Sequence, residues 1–216
     1  MKHENWVQRF YAKRASLYER LFVDFLGWGR ELETFFRRAD FLKPNIKILD
    51  AGCGTGVVTR ILYHLAREKG YEGISFHAFD LTQNMLEIFQ QWINVQGANN
   101  IELIQADVLE VETLPVNWKE YNLIVSSTML EYLPKDKVKD ALVILKQLLR
   151  KEGTFLVFLT KRNVLTRRFA EKWWKTNLYN ESEIQMLFHE AGFDEIAFKN
   201  LSPLWSKYIL VIEGKS

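Results

Sequence analysis

The sequence predicts an α/β fold in which a mostly parallel sheet carries helices on both faces. Short apolar runs alternate with helix-length segments along most of the chain. These runs are nearly continuous in hydrophobicity, as is typical of strands covered on both faces. Two further runs near the C-terminus follow one another without a helix between them, which predicts a hairpin that closes the sheet.

Seven runs are rich in β-branched or aromatic residues and are predicted to be strands. In chain order they are IKILDA from Ile46, ISFHAFD from Ile74, IELIQADV from Ile101, YNLIVSS from Tyr121, GTFLVFLT from Gly153, FDEIAFKNL from Phe193 and KYILVIEG from Lys207. A repeated strand, helix, strand order implies right-handed crossovers and therefore a parallel sheet.

Helix patterns occupy the gaps between the strands. We predict helices over Val57–Lys69, Thr82–Gln96, Lys135–Lys151 and Asn180–Ala191. The first three end at or near a glycine, where helices commonly stop. Asn180 and Glu183 have the spacing of a capping box at the start of the fourth.

Composition limits the class of protein. A chain of 216 residues with a net charge of +2 fits one domain and does not indicate strong nucleic-acid binding. The single cysteine, Cys53, excludes an internal disulfide, and no Cys/His cluster has metal-ligand spacing. Charges interrupt the N-terminal MKHENWVQRF, so no signal peptide is indicated and a cytoplasmic location is predicted.

Acidic residues mark the ends of the first three predicted strands. Asp50, Asp80 and Asp107 follow in order, and Ser126 lies at the end of the fourth strand. Ligands of such sheets bind at the carboxyl ends of the strands. Each acid alone can be a loop residue or a helix cap, but the set predicts a ligand site.

The glycine loop ILDAGCGTG restricts the choice of ligand. A dinucleotide fingerprint needs G-x-G-x-x-G, whereas the glycines here are Gly52, Gly54 and Gly56, with Asp50 two residues before the first. The carboxylate of Asp50 would not stabilise an anionic pyrophosphate. S-adenosylmethionine carries an ammonium, a sulfonium and a carboxylate, which an acid and a helix N-terminus together satisfy.

The remaining parts of this ligand find candidate partners further along the chain. Asp80 is spaced to accept hydrogen bonds from a ribose diol. Asp107 is a candidate acceptor for the amine of adenine, and apolar walls for its ring come from Leu81, Met85 and Val108.

These segments resemble the sequential motifs of class I S-adenosylmethionine-dependent methyltransferases. The motifs are ILDAGCGTG, HAFDLTQNML, IQADVLE, YNLIVSSTMLEYLP and LKQLLRKEGTFLVF, and the resemblance covers roughly Ile46 to Gly214. It implies a Rossmann-like, seven-stranded sheet with an antiparallel last strand. It also implies that the glycine loop holds the methionine end, Asp80 the ribose and Asp107 the adenine, with Ser126 near the boundary between cofactor and acceptor.

In methyl transfer from S-adenosylmethionine, the protein mainly aligns the acceptor with the sulfonium methyl group and excludes water. No metal is therefore expected. Glu131 and Tyr132, just past the fourth strand, are candidates for a general base. The alternative is that Glu131 begins a surface turn and Tyr132 packs. Cys53 is expected to pack in the loop, where small side chains let the backbone approach the cofactor.

The acceptor is expected to be a small apolar or aromatic molecule. The chain has Ser-Ser-Thr-Met from Ser126 where base and amide methyltransferases have an Asn-Pro-Pro-Tyr type loop, so it resembles the quinone and small-molecule branch instead. We predict a helical N-terminal cap at 1–43, with Tyr18 closing over the cofactor, and a methyltransferase domain at 44–216. The alternative for the cap aromatics is simple docking onto the sheet.

A basic insert follows the fifth strand at 161–179. Lys161–Lys175 holds six cations and one anion, with apolar residues at four-residue spacing. It is predicted to be a lid over the acceptor. A contact with anionic lipid headgroups, a clamp on an acidic substrate and a solvated helix remain alternatives.

Three other functions stay open at this stage. A binding-only S-adenosylmethionine protein would keep the pocket without transfer. A tRNA-modifying methyltransferase would retain RNA at physiological salt. An NAD(P)-dependent oxidoreductase would use the same sheet, but Val57 occupies the position of the last fingerprint glycine.

Overall fold

The computed structural model describes residues 27–110, 114–169 and 176–216, which contain all seven predicted strands. They are β1 (Lys47–Ala51), β2 (Ser75–Asp80), β3 (Ile101–Gln105), β4 (Tyr121–Ser127), β5 (Leu149–Thr160), β6 (Glu195–Lys199) and β7 (Ile209–Lys215). They form one mixed sheet in the order β3-β2-β1-β4-β5-β7-β6. The predicted fold class is confirmed, including the antiparallel last strand.

The chain divides into two compact units, one ending at Leu114 and one from Pro115 to Ser216. In the first unit, β2 pairs in parallel with both β1 and β3. Its helices are α1 (Trp28–Arg38), α2 (Val57–Glu68) and α3 (Gln83–Gln96). The helices predicted from Val57 and Thr82 are therefore confirmed to within one residue at each end.

Helix α1 packs against α2 within the first unit. It buries one apolar face, formed by Trp28, Leu32, Phe35 and Phe36, as its spacing of three to four residues dictates. It belongs to the predicted cap at 1–43. Residues 1–26 of that segment, which include Tyr18, lie outside the described residues.

In the second unit, β4 and β5 are parallel, whereas β7 runs antiparallel to both β5 and β6. The predicted C-terminal hairpin is therefore confirmed. The helices of this unit are α4 (Val138–Leu148), α5 (Val164–Phe169) and α6 (Glu181–Glu190). The capping box is present: the Asn180 side chain accepts from the Glu183 N–H, and the Glu183 side chain accepts from the Asn180 N–H.

The helix predicted over Lys135–Lys151 is too long at both ends. A 3-10 turn, Lys135–Lys137, precedes α4, and Leu149 already begins β5. Gly153 lies in the strand instead of capping the helix. A Cβ atom there would come within 2.8 Å of the Tyr121 carbonyl oxygen, so the glycine permits a close backbone approach beside an irregularity in the β4 and β5 pairing.

No helix in these described ranges is long and apolar enough to cross a membrane.

Candidate functional site

The glycine loop is fixed to the end of β2 by backbone hydrogen bonds. The N–H groups of Gly52 and Cys53 both donate to the Phe79 carbonyl at 2.9 Å. Gly54 has a φ of +53°, and a Cβ atom there would meet nothing within 4 Å, so its face is open. Gly56, at φ +84°, must be glycine, because a Cβ atom would lie 2.5 Å from the Phe89 ring.

The two carboxylate oxygens of Asp50 have different surroundings. Oδ2 accepts from the Thr59 hydroxyl at 2.7 Å and from the Thr59 N–H at 3.2 Å. Oδ1 is buried and has no hydrogen-bond partner among the residues that the structure describes. Burial raises the pKa of the Asp50 carboxyl to about 7, against the opposing effect of the Thr59 hydrogen bonds.

The sequence prediction missed Thr59. It is the third residue of α2 and is almost completely buried, so it ties Asp50 to the first turn of that helix. A polar residue in an otherwise apolar first turn was the available signal.

Asp80 joins two loops at the carboxyl ends of β1 and β2. Its Oδ2 accepts from the Gly54 N–H at 2.8 Å, and its Oδ1 accepts from the Thr82 N–H at 2.8 Å. Burial raises the pKa of this carboxyl, and the Thr82 and Gly54 N–H groups oppose the shift. Each oxygen keeps a lone pair for a further donor.

The predicted adenine-side residues follow β2 and β3. The Asp107 carboxylate accepts from the Leu109 N–H at 2.9 Å, and the Ala106 N–H donates to the Asp80 carbonyl at 3.1 Å. Met85 and Val108 are buried, while Leu81 is half-buried. The first unit thus brings together the glycine loop, Asp50 and Asp80, and it carries Asp107 two residues after the end of β3.

Cys53 is buried in the loop, and its thiol lies 3.7 Å from the Gly54 carbonyl oxygen. Burial raises the pKa of the thiol well above its ordinary value, with further increases from the charges of Asp50 and Asp80. A protonated thiol is a poor nucleophile. These surroundings agree with the expected packing role.

The other predicted site residues lie in the second unit. Ser126 is fully buried in β4, and no described group forms a hydrogen bond with its hydroxyl. Glu131 and Tyr132 lie in a 3-10 turn, Leu130–Tyr132. Thr128, just before this turn, has a φ of +58°, which is a strained conformation for a β-branched residue.

Glu131 is buried instead of lying on a surface turn. Its Oε2 accepts from the Thr160 N–H at 2.7 Å and its Oε1 from the Thr160 hydroxyl at 3.0 Å. Burial raises the pKa of the Glu131 carboxyl to about 7, opposed by these hydrogen bonds. The Glu131 carbonyl also accepts from the Asn177 N–H at 2.8 Å.

Glu131 therefore connects the segment after β4 to Thr160, just before the insert at 161–179, and to Asn177 near the end of that insert. The insert closes on itself where Lys161 pairs with Tyr179 and the Arg162 N–H donates to the Tyr179 carbonyl at 2.8 Å. Lys161 pairs with Glu181 at 2.8 Å and Arg162 with Glu183 at 2.7 Å. Residues 170–175 of the insert lie outside the described part of the chain.

A glycine loop and a series of acids at the carboxyl ends of parallel strands define a Rossmann-like domain with a nucleoside-type site. Residues 48–153 match the family described as a methyltransferase domain. The chain therefore contains a methyltransferase domain with the class I fold, and the cofactor of this class is S-adenosylmethionine.

Two curated relatives illustrate the range of this similarity. The malonyl-[acyl-carrier protein] O-methyltransferase of Halalkalibacterium halodurans is 28% identical over 152 residues, 69% of this chain and 53% of that protein. The chloroplastic 2-methyl-6-phytyl-1,4-hydroquinone methyltransferase 1 of Oryza sativa is 27% identical over 209 residues, 95% of this chain and 58% of that protein. The chain spans about half the length of the curated relatives it matches.

Solved structures share the fold over nearly the whole chain. The magnesium protoporphyrin IX methyltransferase of Synechocystis PCC 6803, solved with S-adenosylhomocysteine, superposes with a TM-score of 0.71 at 15% identity and covers 99% of both chains. The phosphoethanolamine N-methyltransferase 2 of Haemonchus contortus superposes with a TM-score of 0.70 at 14% identity, covering 88% of this chain and 52% of the other.

Proposed function

We propose that this chain transfers the methyl group of S-adenosylmethionine to a small apolar or aromatic acceptor in the cytoplasm. The observation that supports S-adenosylmethionine as the cofactor is that the two carboxylate oxygens of Asp50 have different surroundings. One oxygen is held by Thr59, while the other is buried and lacks a described partner. A buried carboxylate oxygen without a donor is costly unless a ligand supplies one, and an ammonium group does so.

The other predicted cofactor residues also suit this ligand. The open face of Gly54 leaves room for close approach to the backbone, and the fixed Asp80 carboxylate retains acceptor capacity for a diol. Leu81, Met85 and Val108 supply apolar surface for a purine, with Asp107 as the polar partner. Tyr18 is proposed to close over this site, and Ser126 to lie beside the acceptor.

The bound cofactor supplies an activated methyl group. The protein's task is then to hold the acceptor in line with it, to exclude water and, where the acceptor carries an acidic proton, to remove that proton. Glu131 is the proposed base, because a buried carboxyl with a pKa of about 7 is poised to accept a proton at neutral pH. Tyr132 is proposed to line the same region.

The nature of the acceptor rests on sequence and on the relatives. The hydroquinone methyltransferase matches 95% of this chain, and its named substrate is a prenylated aromatic ring. The segment after β4 lacks the loop of base and amide methyltransferases. Both observations favour a small aromatic or apolar acceptor over nucleic acid.

Calorimetric titration tests the cofactor assignment. S-adenosylhomocysteine should bind to the purified chain, and NADH should not. Asp50→Asn should weaken binding at least tenfold, because it removes the charge that faces the ammonium while its amide oxygen still accepts from Thr59. Binding of NADH with no binding of S-adenosylhomocysteine would overturn the assignment.

Methyl transfer from labelled S-adenosylmethionine tests the acceptor. The panel should contain hydroquinones, phenols, a porphyrin carboxylate, malonyl thioesters and unmodified tRNA. Transfer to hydroquinones or phenols is expected. Transfer only to tRNA, or cofactor binding without transfer to any member, would support the corresponding alternative and refute the proposed acceptor class.

A further inference from the structure

Two segments of the second unit expose large aliphatic side chains. In α5, Val164 is 85% exposed and Leu165 is 56% exposed, and in the connection between β6 and β7 Leu204 is 60% exposed. Because the two segments are neighbours, these three exposed side chains lie in one region of the surface. Trp205 and Tyr208, which are half-buried, flank Leu204.

Hydrogen bonds hold these two segments side by side. The Lys161 N–H donates to the Tyr208 carbonyl at 2.7 Å, and the Asn163 side-chain amide donates to the Lys207 carbonyl at 2.7 Å. Thr160, the last residue of β5, pairs with Ile209, the first of β7. Both segments therefore lie at the carboxyl end of β5, the edge at which such sheets bind ligands.

The same two segments are basic. Residues 160–169 and 200–209 contain five cations and no anion. Lys161 pairs with Glu181 and Arg162 pairs with Glu183, which offsets part of this positive charge. Arg167 and Lys207 are exposed.

We propose that this surface, formed by Val164, Leu165, Arg167, Leu204, Trp205 and Lys207 and called here the basic apolar patch, docks on an anionic lipid bilayer. Aliphatic side chains enter the acyl boundary, tryptophan favours the interface, and cations contact anionic headgroups. A nucleic acid would satisfy the cations but would leave the aliphatic side chains in water. Docking at this edge would bring an apolar acceptor dissolved in the membrane to the ligand side of the sheet.

Vesicle cosedimentation of the full chain tests the proposal without cofactor or acceptor, so its outcome is independent of the proposed methyl transfer. We expect partitioning at least tenfold stronger onto vesicles with about 30% phosphatidylglycerol than onto pure phosphatidylcholine, because each cation near an anionic surface strengthens binding about fivefold. Added salt should weaken the binding. Equal partitioning onto both vesicles, or none, would overturn the proposal.

Matched variants separate the patch from other surfaces. Leu165→Ser combined with Leu204→Ser should reduce binding to the anionic vesicles at least fivefold, and Arg167→Glu should remove most of the preference for anionic lipid. Val116→Ser is the control, since Val116 is 90% exposed but precedes β4, at the opposite end of these parallel strands. Circular dichroism checks that each variant folds.

Two results would contradict the patch. One is an equal loss of binding in Val116→Ser. The other is that the wild-type chain does not bind vesicles but does bind tRNA, and that Arg167→Glu abolishes the binding of tRNA.

Discussion

At the scale of single residues, Thr59 determines which oxygen of Asp50 remains for a ligand. Thr59→Val should remove the 2.7 Å hydroxyl hydrogen bond and leave only the weaker N–H contact. Because a hydrogen bond of this kind contributes about 1 kcal/mol, the Kd for S-adenosylhomocysteine should rise roughly fivefold. Calorimetry measures this change.

Thr59→Ser is the matched control, because it keeps the hydroxyl and should bind nearly as the wild type does. Equal affinities of the valine variant and the wild type would show that Thr59 packs without orienting Asp50.

Asp50 also predicts a pH dependence of cofactor binding. In the free protein burial raises its pKa to about 7, so the carboxyl is largely protonated at pH 6. An ammonium bound beside it favours the charged form, so binding releases a proton and affinity rises with pH. Between pH 6 and pH 7.5 the Kd should fall roughly eightfold, if the carboxyl stays ionised in the complex.

Titrations in two buffers of different ionisation enthalpy would count the released proton directly. Asp50→Asn should bind weakly with little change over this range. An affinity of the wild type that is constant from pH 6 to pH 7.5 would contradict the linkage.

The sequence located these acids more readily than their partners. Asp50, Asp80 and Asp107 could be found because they end apolar runs, and strand ends meet at one edge of a parallel sheet. The Thr59 contact to Asp50 and the Thr160 contact to Glu131 could not, since each joins residues brought together by the turn of a helix or by strand pairing. The burial of Glu131 could not be predicted either, since its partners Thr160 and Asn177 lie far from it in sequence.

At the scale of elements, the segment after β4 is held to the insert through Glu131. Glu131→Ala should leave the Thr160 N–H without its acceptor and lower the free energy of unfolding by about 1–3 kcal/mol. Glu131→Gln keeps an acceptor for that N–H and should cost much less. Chemical denaturation of both variants measures the difference.

The pH dependence of stability checks the same element. A folded-state pKa of about 7, above the ordinary 4.5, means that the folded protein holds a proton which the unfolded chain releases. The stabilisation by this proton is fully present below pH 4.5 and is lost as the pH rises to 7. The free energy of unfolding should fall by about 3 kcal/mol over that range. Stability of the wild type relative to Glu131→Gln should therefore fall over that window.

Kinetics distinguish this structural role from the proposed base. If Glu131 accepts a proton from the acceptor, Glu131→Gln should lower kcat with little change in stability or in KM. A variant with unchanged kcat would leave Glu131 as a residue that positions the insert and would refute its role as a base.

The elements themselves were largely predictable because hydrophobic period and capping residues are local signals. All seven strands and the capping box at Asn180 follow from them. The start of β5 did not, since Leu149 continues a helical pattern but pairs with Tyr121 of β4, and Gly153 lies within β5. Tertiary pairing overrode local propensity there.

At the scale of the whole molecule, the cofactor residues predicted in the described strands and loops before Leu114 all belong to the first compact unit. A ligand that binds only the folded state slows hydrogen exchange through unfolding by a factor of one plus its concentration over Kd. S-adenosylhomocysteine at 100 times its Kd should therefore slow exchange up to about 100-fold in peptides covering 50–59, 80–86 and 107–110. Peptides covering α6 should change less, because that helix belongs to the second unit.

Asp50→Asn at the same ligand concentration should show weaker protection. Protection concentrated in residues 181–215 instead would mean that the ligand is held by the second unit, and the cofactor site proposed at Asp50 and the glycine loop would be wrong.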